Sequence, residues 1–165
     1  MDQLALWFAQ TLGEYISAEA VVFIISMIPI LELRGGLLVS SLLQVPITTA
    51  IPLCIIGNII PIPFILLFIR QIFKCMKKIP FFTKMIEKLE NRAMSKSASI
   101  KRYEFWGLAL FVGVPLPGTG AWTGSLIAAL LEIDFKKAVL SELLGIIMAT
   151  VIMSIVSYGL LGAIL

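Results

Sequence analysis

Residues 27–36 read M-I-P-I-L-E-L-R-G-G and place a carboxylate, a guanidinium and two glycines inside an otherwise apolar stretch. Apolar residues 21–25 precede this segment, and the apolar run continues after it with Leu37 and Leu38. In water the segment would be a turn between two core elements, whereas in lipid its charges would be a costly insertion that requires partners. The composition of the whole chain decides between the two environments.

The composition favours the membrane. Of the 165 residues, 59% are hydrophobic and only 14% are charged, and the mean hydropathy is +1.03. A soluble helical bundle, the alternative, could not hide that much apolar surface from water at this size. The 12 glycines and 8 prolines are many for a short helical chain and predict broken helices among the membrane spans.

The sequence disfavours several classes of chemistry. It has no histidine, which removes the commonest metal ligand and proton shuttle, and it contains neither a Walker loop nor a recognisable nucleophile triad. Cys54 and Cys75 are isolated thiols without metal-ligand spacing. The sequence therefore predicts no enzyme, no cofactor and no bound metal, and it leaves any proton chemistry to carboxylates.

The basic residues are concentrated in one segment, residues 70–102. Ten basic and two acidic residues give this segment a net charge of +8. Between two apolar halves, it indicates a cytoplasmic loop rather than a nucleic-acid-binding region. Its apolar residues recur at helical spacing, so we expect an amphipathic linker that faces the cytoplasm and lies on the anionic inner leaflet.

The apolar segments differ in length. Residues 47–69 and 138–165 are long enough to cross the hydrocarbon core, which takes about 20 apolar residues. Residues 20–31 and 36–45 are too short, and they join through E-L-R-G-G. We expect a re-entrant hairpin there, in which one short helix enters the membrane and the next returns to the same side.

The second half repeats this arrangement. Residues 105–114 and 125–131 are short apolar pieces on either side of P-L-P-G-T-G-A-W-T-G, residues 115–124, which a continuous helix would not accept. With residues 70–102 inside, the first hairpin enters from outside and the second from inside. The predicted fold is an all-α integral membrane protein with an inverted repeat, each half a re-entrant helical hairpin followed by a transmembrane helix. A single domain, 1–165, is divided into an N-terminal interfacial helix (1–18), repeat 1 (19–69), the basic linker (70–102) and repeat 2 (103–165).

The repeat is visible when the amino-acid sequence is aligned with itself at an offset of 88 residues. Residues 23–59 and 111–147 share 9 identities over 37 ungapped positions. The most informative matches are Pro29 with Pro117, Gly36 with Gly124 and Gly57 with Gly145, because they fall at corresponding tip and span positions. An inverted repeat with a broken helix in each half predicts a transporter whose site lies near the bilayer midplane, where the tips meet.

Two motifs carry a resemblance to a known family. P-I-L-E-L-R-G-G in the first half and V-P-L-P-G-T-G-A-W-T-G-S-L-I-A-A-L-L in the second resemble the putative small multidrug export protein family, over about residues 20–155. That family is similar in architecture to the DedA/VTT superfamily, whose members have paired re-entrant loops, each followed by a membrane helix. DedA-like proteins are implicated in lipid movement, including that of polyprenyl phosphate carriers, and in proton-dependent transport. The resemblance therefore implies a transporter more firmly than it implies drugs.

Glu32 and Arg34 at the first tip are the leading candidates for a functional role. In one hypothesis Glu32 carries a proton and Arg34 anchors an anionic substrate group, since arginine binds phosphate in a bidentate way. In the other, the two charges pin the hairpins together. Residues two apart do not share a helix face, so we expect them to contact different partners.

The glycine-rich tips could hold an anion. Gly36 is predicted to begin the second half-helix, and helix N-termini favour negative charge. Gly35, like Gly36, is expected to expose a backbone N–H group. At the other tip we expect the same arrangement, which favours an anion, from Pro117, Gly118, Thr119 and Gly120. The alternative is a tight structural crossing of the two hairpins.

Three further residues complete the predicted substrate- and proton-binding set. Glu142 is either the inner step of a proton path or a carboxylate near the interface that reaches water or lysines. Asn58 interrupts the first span, where hydrogen bonding within the core is favoured over a bond to a tip. Trp122 either lines the site or fills the gap between the hairpins.

The sequence thus predicts a secondary transporter in the cytoplasmic membrane, proton-coupled, that moves an amphipathic or phosphate-bearing lipid-like substrate. Export of small toxic compounds is the alternative, and a non-transporting membrane scaffold is a third possibility. The expected partners are membrane lipids, the substrate, protons and a second copy of the chain in a homodimer.

Overall fold

The structure, a computed structural model, describes residues 17–78, 83–84, 86–88, 91, 104–116 and 118–160. These residues form helices joined by short turns, and no strand occurs among them. The α-helices, numbered here in chain order, are α1 (Ala18–Met27), α2 (Glu32–Leu42), α3 (Ile47–Ile59), α4 (Pro61–Met76), α5 (Phe105–Gly113), α6 (Ala121–Leu130) and α7 (Phe135–Ser154), and a π-helical segment (Ile155–Leu160) extends α7.

Local sequence explains where several of these helices begin. The Ser17 hydroxyl accepts a hydrogen bond from Ala20 N at 3.3 Å and caps α1. The Asp134 carboxylate caps α7 in the same way, accepting from Lys137 N at 3.1 Å. Pro61 occupies the first position of α4, where its missing N–H leaves no bond unmade. The helices α3 and α4 therefore follow each other almost without interruption.

Two helices are long and apolar enough to cross a membrane: Ile47–Met76, formed by α3 and α4, and Phe135–Gly159, formed by α7 and most of its π-helical extension. Only 28% and 39% of their most apolar windows are buried inside the protein, whereas a core helix of a soluble protein would be mostly covered. Large apolar side chains, Phe64 and Leu140 among them, remain exposed on these helices. Together with the two apolar helices, such surfaces indicate a membrane protein, and the described part of the chain is all-helical apart from its turns.

Several predicted boundaries were wrong. The first long helix continues to Met76 rather than ending at residue 69, so residues 70–76 extend this helix. Helix α2 begins at Glu32 rather than at Gly36, and α6 begins at Ala121 rather than at residue 125. The polar tips are therefore shorter than expected. Residues 1–16 of the predicted interfacial helix, and most of the basic linker after Lys78, lie outside the described residues.

The short helices pack on the long ones through close backbone contacts. Helix α1 packs on α2 and α3, α5 packs on α7, and α4 packs on α6. A Cβ atom at Gly57 would lie 2.8 Å from the Phe23 carbonyl oxygen, and one at Gly145 would lie 2.7 Å from that of Ala109. Glycine at these two positions lets the long helices approach the short ones.

Polar contacts tie the helix ends into two groups. In the first, Arg70 on α4 forms a 2.5 Å ion pair with Glu132, and Lys137 on α7 pairs with Glu104. In the second, Ser41 Oγ on α2 donates to the Ser157 carbonyl at 2.7 Å. Because α7 is about 30 Å long, the groups at its beginning and its end are separated by roughly the thickness of the hydrocarbon core.

Replacing Gly145 with alanine should destabilise the fold. The added methyl group would meet the Ala109 carbonyl and Val112 Cβ, neither of which can rotate away, so we expect a loss of about 1–3 kcal/mol in the free energy of unfolding. Thermal unfolding in detergent measures this loss. Gly159→Ala is the matched control, because the nearest atom to its added methyl lies at 3.9 Å. Equal melting temperatures for the two variants would contradict the packing described here.

Candidate functional site

The tip of the first hairpin is a strained turn. Between α1 and α2 the chain passes through Ile30 with φ +95° and enters α2 at Glu32 with φ +50°. Positive φ is rare for a β-branched residue such as isoleucine. This turn directs the Glu32 side chain away from its own hairpin and toward the tip of the second one.

The Glu32 carboxylate caps helix α6. Its Oε2 accepts a hydrogen bond from Ala121 N at 3.1 Å, and its Oε1 accepts one from Trp122 N at 3.0 Å. The residue is only 5% exposed. A carboxylate at a helix N-terminus satisfies unpaired N–H groups and complements the positive end of the helix dipole. The anion position that the sequence predicts at this tip is therefore occupied by a side chain of the protein itself.

Gly120 makes room for this contact. Its φ is +135°, a conformation that side-chain-bearing residues rarely adopt, and a Cβ atom there would overlap the Glu32 carboxylate. Gly118, with φ +74°, supplies the preceding turn. Pro117, predicted to belong to the same site, lies outside the described residues.

The Arg34 guanidinium binds the end of helix α5. Its Nη1 donates to the Leu116 carbonyl at 2.7 Å, and its Nη2 lies within bonding distance of the Val114 and Val112 carbonyls, at 3.1 and 3.3 Å. It also donates to Thr119 Oγ1 at 2.9 Å. A cation at a helix C-terminus complements the negative end of the dipole. Glu32 and Arg34 thus contact different partners, as their spacing predicts.

These two residues clamp the hairpins together, as one of the two hypotheses from the sequence proposed. We call Glu32, Arg34 and their partners on the second hairpin the tip clamp. Its hydrogen bonds join residues that are 78 to 90 positions apart in the chain. A role of Glu32 in proton transfer or of Arg34 in substrate binding stays a prediction.

Gly35 and Gly36 do not lie at the exposed tip where the sequence predicts them. Both lie inside α2 and are buried, so neither opens a helix nor presents a free N–H. A Cβ at Gly36 would overlap Ser26 Oγ on α1 and lie 2.8 Å from Cys54 Sγ on α3. The glycine therefore allows α2 to pack closely against both neighbouring helices.

Trp122 also joins the two tips, with a side chain that reaches from the second hairpin to the first. Its Nε1 donates a 3.1 Å hydrogen bond to the carbonyl of Met27, the last residue of α1. The side chain is half-buried and spans the gap between the hairpins, which was one of its two predicted positions.

Glu142 on α7 is completely buried, at 0% exposure. Ser125 Oγ on α6 donates to its Oε2 at 2.8 Å, while Oε1 has no hydrogen-bond partner among the described residues. Of the two alternatives for Glu142, the one in which it reaches water or lysines near the interface was wrong, because its side chain is buried against Ser125. Among the described acidic groups, Glu32 of the tip clamp interacts with it electrostatically.

Asn58 is also buried, at 3% exposure, and its Oδ1 accepts no hydrogen bond from the described residues. The expected hydrogen bond within the core is therefore not made by this oxygen. Sequence reasoning missed Ser125, the partner of Glu142, and it missed the backbone carbonyls that bind Arg34. A serine in an apolar helix gives little signal, and carbonyl groups give none because every residue has one.

Comparison with known proteins identifies the family. Residues 32–152 match the family described as "Putative small multi-drug export protein". The chain belongs to this family. The matched range begins at Glu32 and includes the tip clamp, Ser125 and Glu142. Membership indicates an export protein of the membrane rather than an enzyme, which agrees with the transporter predicted from the sequence.

Searches of curated proteins and of solved structures found no match for the chain. The predicted architectural likeness to the DedA/VTT superfamily therefore stays a prediction.

Replacing Arg34 with lysine should weaken the tip clamp. An ammonium group cannot reach three carbonyls and a hydroxyl at once, so we expect a loss of about 1.5–3 kcal/mol in the free energy of unfolding. Arg70→Lys is the control, because its exposed ion pair contributes less than about 1 kcal/mol. Denaturant unfolding in detergent compares them, and an Arg34→Lys loss no larger than that of Arg70→Lys would show that the clamp contributes little.

Proposed function

We propose that the chain is a proton-coupled secondary transporter that exports small amphipathic compounds across the cytoplasmic membrane. The observation that carries this proposal is Glu142, a fully buried carboxylate on a membrane-spanning helix with one oxygen unpartnered. A charge in this position is expensive, and ionisable groups inside membrane proteins mark substrate and proton pathways. The family description supports export as the direction and drugs as the cargo.

The proposed architecture is the inverted repeat, and the backbone supports it. Six of the seven positive-φ residues in the described part of the chain form pairs at the 88-residue offset found in the sequence. The pairs are Ile30 with Gly118, Glu32 with Gly120, and Gln44 with Glu132. Left-handed conformations are rare, so their recurrence at one offset favours two copies of the same hairpin.

The tip contacts also correspond at this offset: matching residues of the two halves each contact the opposite half. Arg34 corresponds to Trp122, and each donates to carbonyls at the end of the other half's first short helix: Arg34 to Val112 and Val114, Trp122 to Met27. Such a correspondence is what a two-fold relation between the halves would produce. The axis would then pass between the tips, near the contact of Glu32 with Gly120.

Helix lengths support tips that meet near the midplane. Helices α2 and α6, with 11 and 10 residues, each rise about 15 Å from the tips, so together they match the hydrocarbon thickness of about 30 Å. Helix α2 ends beside Ser157, near the end of α7, and α6 ends beside Arg70 and Glu132. We therefore propose that the hairpins enter from opposite faces, with residues 70–102 in the cytoplasm.

The tip clamp would be the element that transport must open. Alternating access requires one half to move against the other, and the Glu32 and Arg34 hydrogen bonds hold the halves together. A phosphate-bearing substrate would need Arg34 and the α6 N-terminus, and both are bound to the protein itself. This arrangement favours small amphipathic compounds over lipid phosphates. A homodimer remains part of the proposal, since one copy offers only two long spans.

The Glu142→Gln variant should lose proton-driven export. Glutamine keeps the size of the side chain and can still accept from Ser125, but it cannot exchange a proton. In proteoliposomes with an imposed pH gradient, we expect the flux of lipophilic cations to fall at least about 100-fold, the lower range for loss of a positioned proton-transfer group.

Glu19→Gln is the matched control, because Glu19 is an exposed acid in the first turn of α1. Unchanged flux in Glu142→Gln would exclude the proton role of Glu142. Transport of polyprenyl phosphate but not of cations by the wild-type protein would replace the proposed substrate class.

A further inference from the structure

Unpartnered polar atoms are concentrated on the last helix. Of the four buried side-chain nitrogen and oxygen atoms without a hydrogen-bond partner in the described residues, three belong to α7 and its extension: Glu142 Oε1, Ser154 Oγ and Ser157 Oγ. The fourth is Asn58 Oδ1. Burying such a group without a partner costs about 1–3 kcal/mol, so three on one helix require an explanation.

These atoms lie along one side of the helix. From Glu142, the positions of Thr150, Ser154 and Ser157 fall within about a third of the helix circumference, and the distance from Glu142 to Ser157 along the axis is about 22 Å. Thr150, 6% exposed, lies between them. The opposite side carries exposed apolar residues such as Val151 and Ile155, which are 56% and 64% exposed. The polar side therefore faces the protein and the apolar side faces lipid.

The row of polar groups ends at the second group of helix-end contacts. Tyr158 OH hydrogen-bonds to Ser40 Oγ at 2.7 Å and to the Val45 carbonyl at 2.8 Å, at the end of α2. The π-helical segment begins directly after Ser154. Interruptions of this kind break the regular backbone hydrogen-bond pattern and are frequent at functional sites.

We propose that a hydrated path runs along α7 from Glu142 to Ser157 and connects Glu142 with the membrane face at which α7 ends. A buried water needs two to four polar partners, and the unpartnered oxygens, with the Thr150 hydroxyl, supply them in sequence. Among the described residues, the titratable groups along the path are Glu142 and Tyr158. The Cys54 thiol interacts with Tyr158, and Glu32 lies beyond Glu142 at the tip clamp. The path rests on the proposed function for its purpose, since it would carry protons to Glu142 from the outer face.

If the path exists, water reaches Ser154 and Ser157 although their hydroxyl groups are buried in the structure. Ser154→Cys and Ser157→Cys, each in a Cys75→Ser background, should react with a charged, water-soluble methanethiosulfonate reagent in proteoliposomes, because only a hydrated thiol forms the reactive thiolate. Cys54 is present in every variant, and its own labelling is measured in the Cys75→Ser background and subtracted. Val151→Cys is the control on the lipid-facing side.

We expect labelling of both serine positions at least about tenfold faster than labelling of Val151→Cys, although Val151 is more exposed on the protein surface. Equal rates, or faster labelling of Val151→Cys, would overturn the path. If the cysteine variants do not fold, Ser157→Leu supplies a second test. It should block the path and slow pH-driven flux at least about tenfold, whereas Val151→Leu should not, and equal flux in the two variants would also overturn it.

This outcome is separate from that of the proposed function, because labelling measures hydration and requires no substrate. Slow labelling together with a loss of export in Glu142→Gln would reject the path and leave the transporter standing. Fast labelling with no proton-driven export would retain the path and reject the coupling.

Discussion

The contact on which the rest of the structure depends is the capping of two helix ends by Glu32 and Arg34. The end of a helix leaves several N–H or C=O groups without partners, and when such an end is buried no bulk water satisfies them. Glu32 supplies the acceptor for the beginning of α6, and Arg34 supplies the donor for the end of α5. Because each charge comes from the other hairpin, satisfying these groups also joins the two halves.

The same contact explains the composition of both tips. Gly120 has no side chain because the Glu32 carboxylate occupies that space, and Trp122 reaches back to the end of α1 with its indole N–H. Two ionised groups in an apolar environment would be very unfavourable alone. Paired with helix ends of the right sign, they instead form a specific contact between the two hairpins.

The sequence was sufficient for the helical fold, the two long apolar helices and the two broken ones. The lengths of the apolar runs and the position of E-L-R-G-G carry that information directly. The position of Gly36 could not be predicted, because a glycine pair is compatible both with an open turn and with close helix packing. Only the neighbouring Ser26 and Cys54 decide between them.

The partners of the charged residues were hidden for a similar reason. Arg34 binds mainly backbone carbonyls, which leave no trace in the amino-acid letters, and Glu142 finds Ser125 across a helix interface. One of the two alternatives for Glu142, a position near the interface, rested on the closeness of Lys137 in sequence, but Lys137 pairs with Glu104 instead. The burial of Glu142 depends on the direction of its side chain, and that direction depends on how α7 packs against α5 and α6.

The central claim is that the two hairpins enter the membrane from opposite faces and meet at their tips. Thr48 and Lys136 test it most directly, because both are exposed residues directly after a hairpin and they correspond at the 88-residue offset. Thr48→Cys and Lys136→Cys, each in a Cys75→Ser background, would be treated in intact cells with a membrane-impermeant maleimide. The account predicts labelling of Thr48→Cys in intact cells and of Lys136→Cys only after permeabilisation. Labelling of both positions from the same side would contradict it.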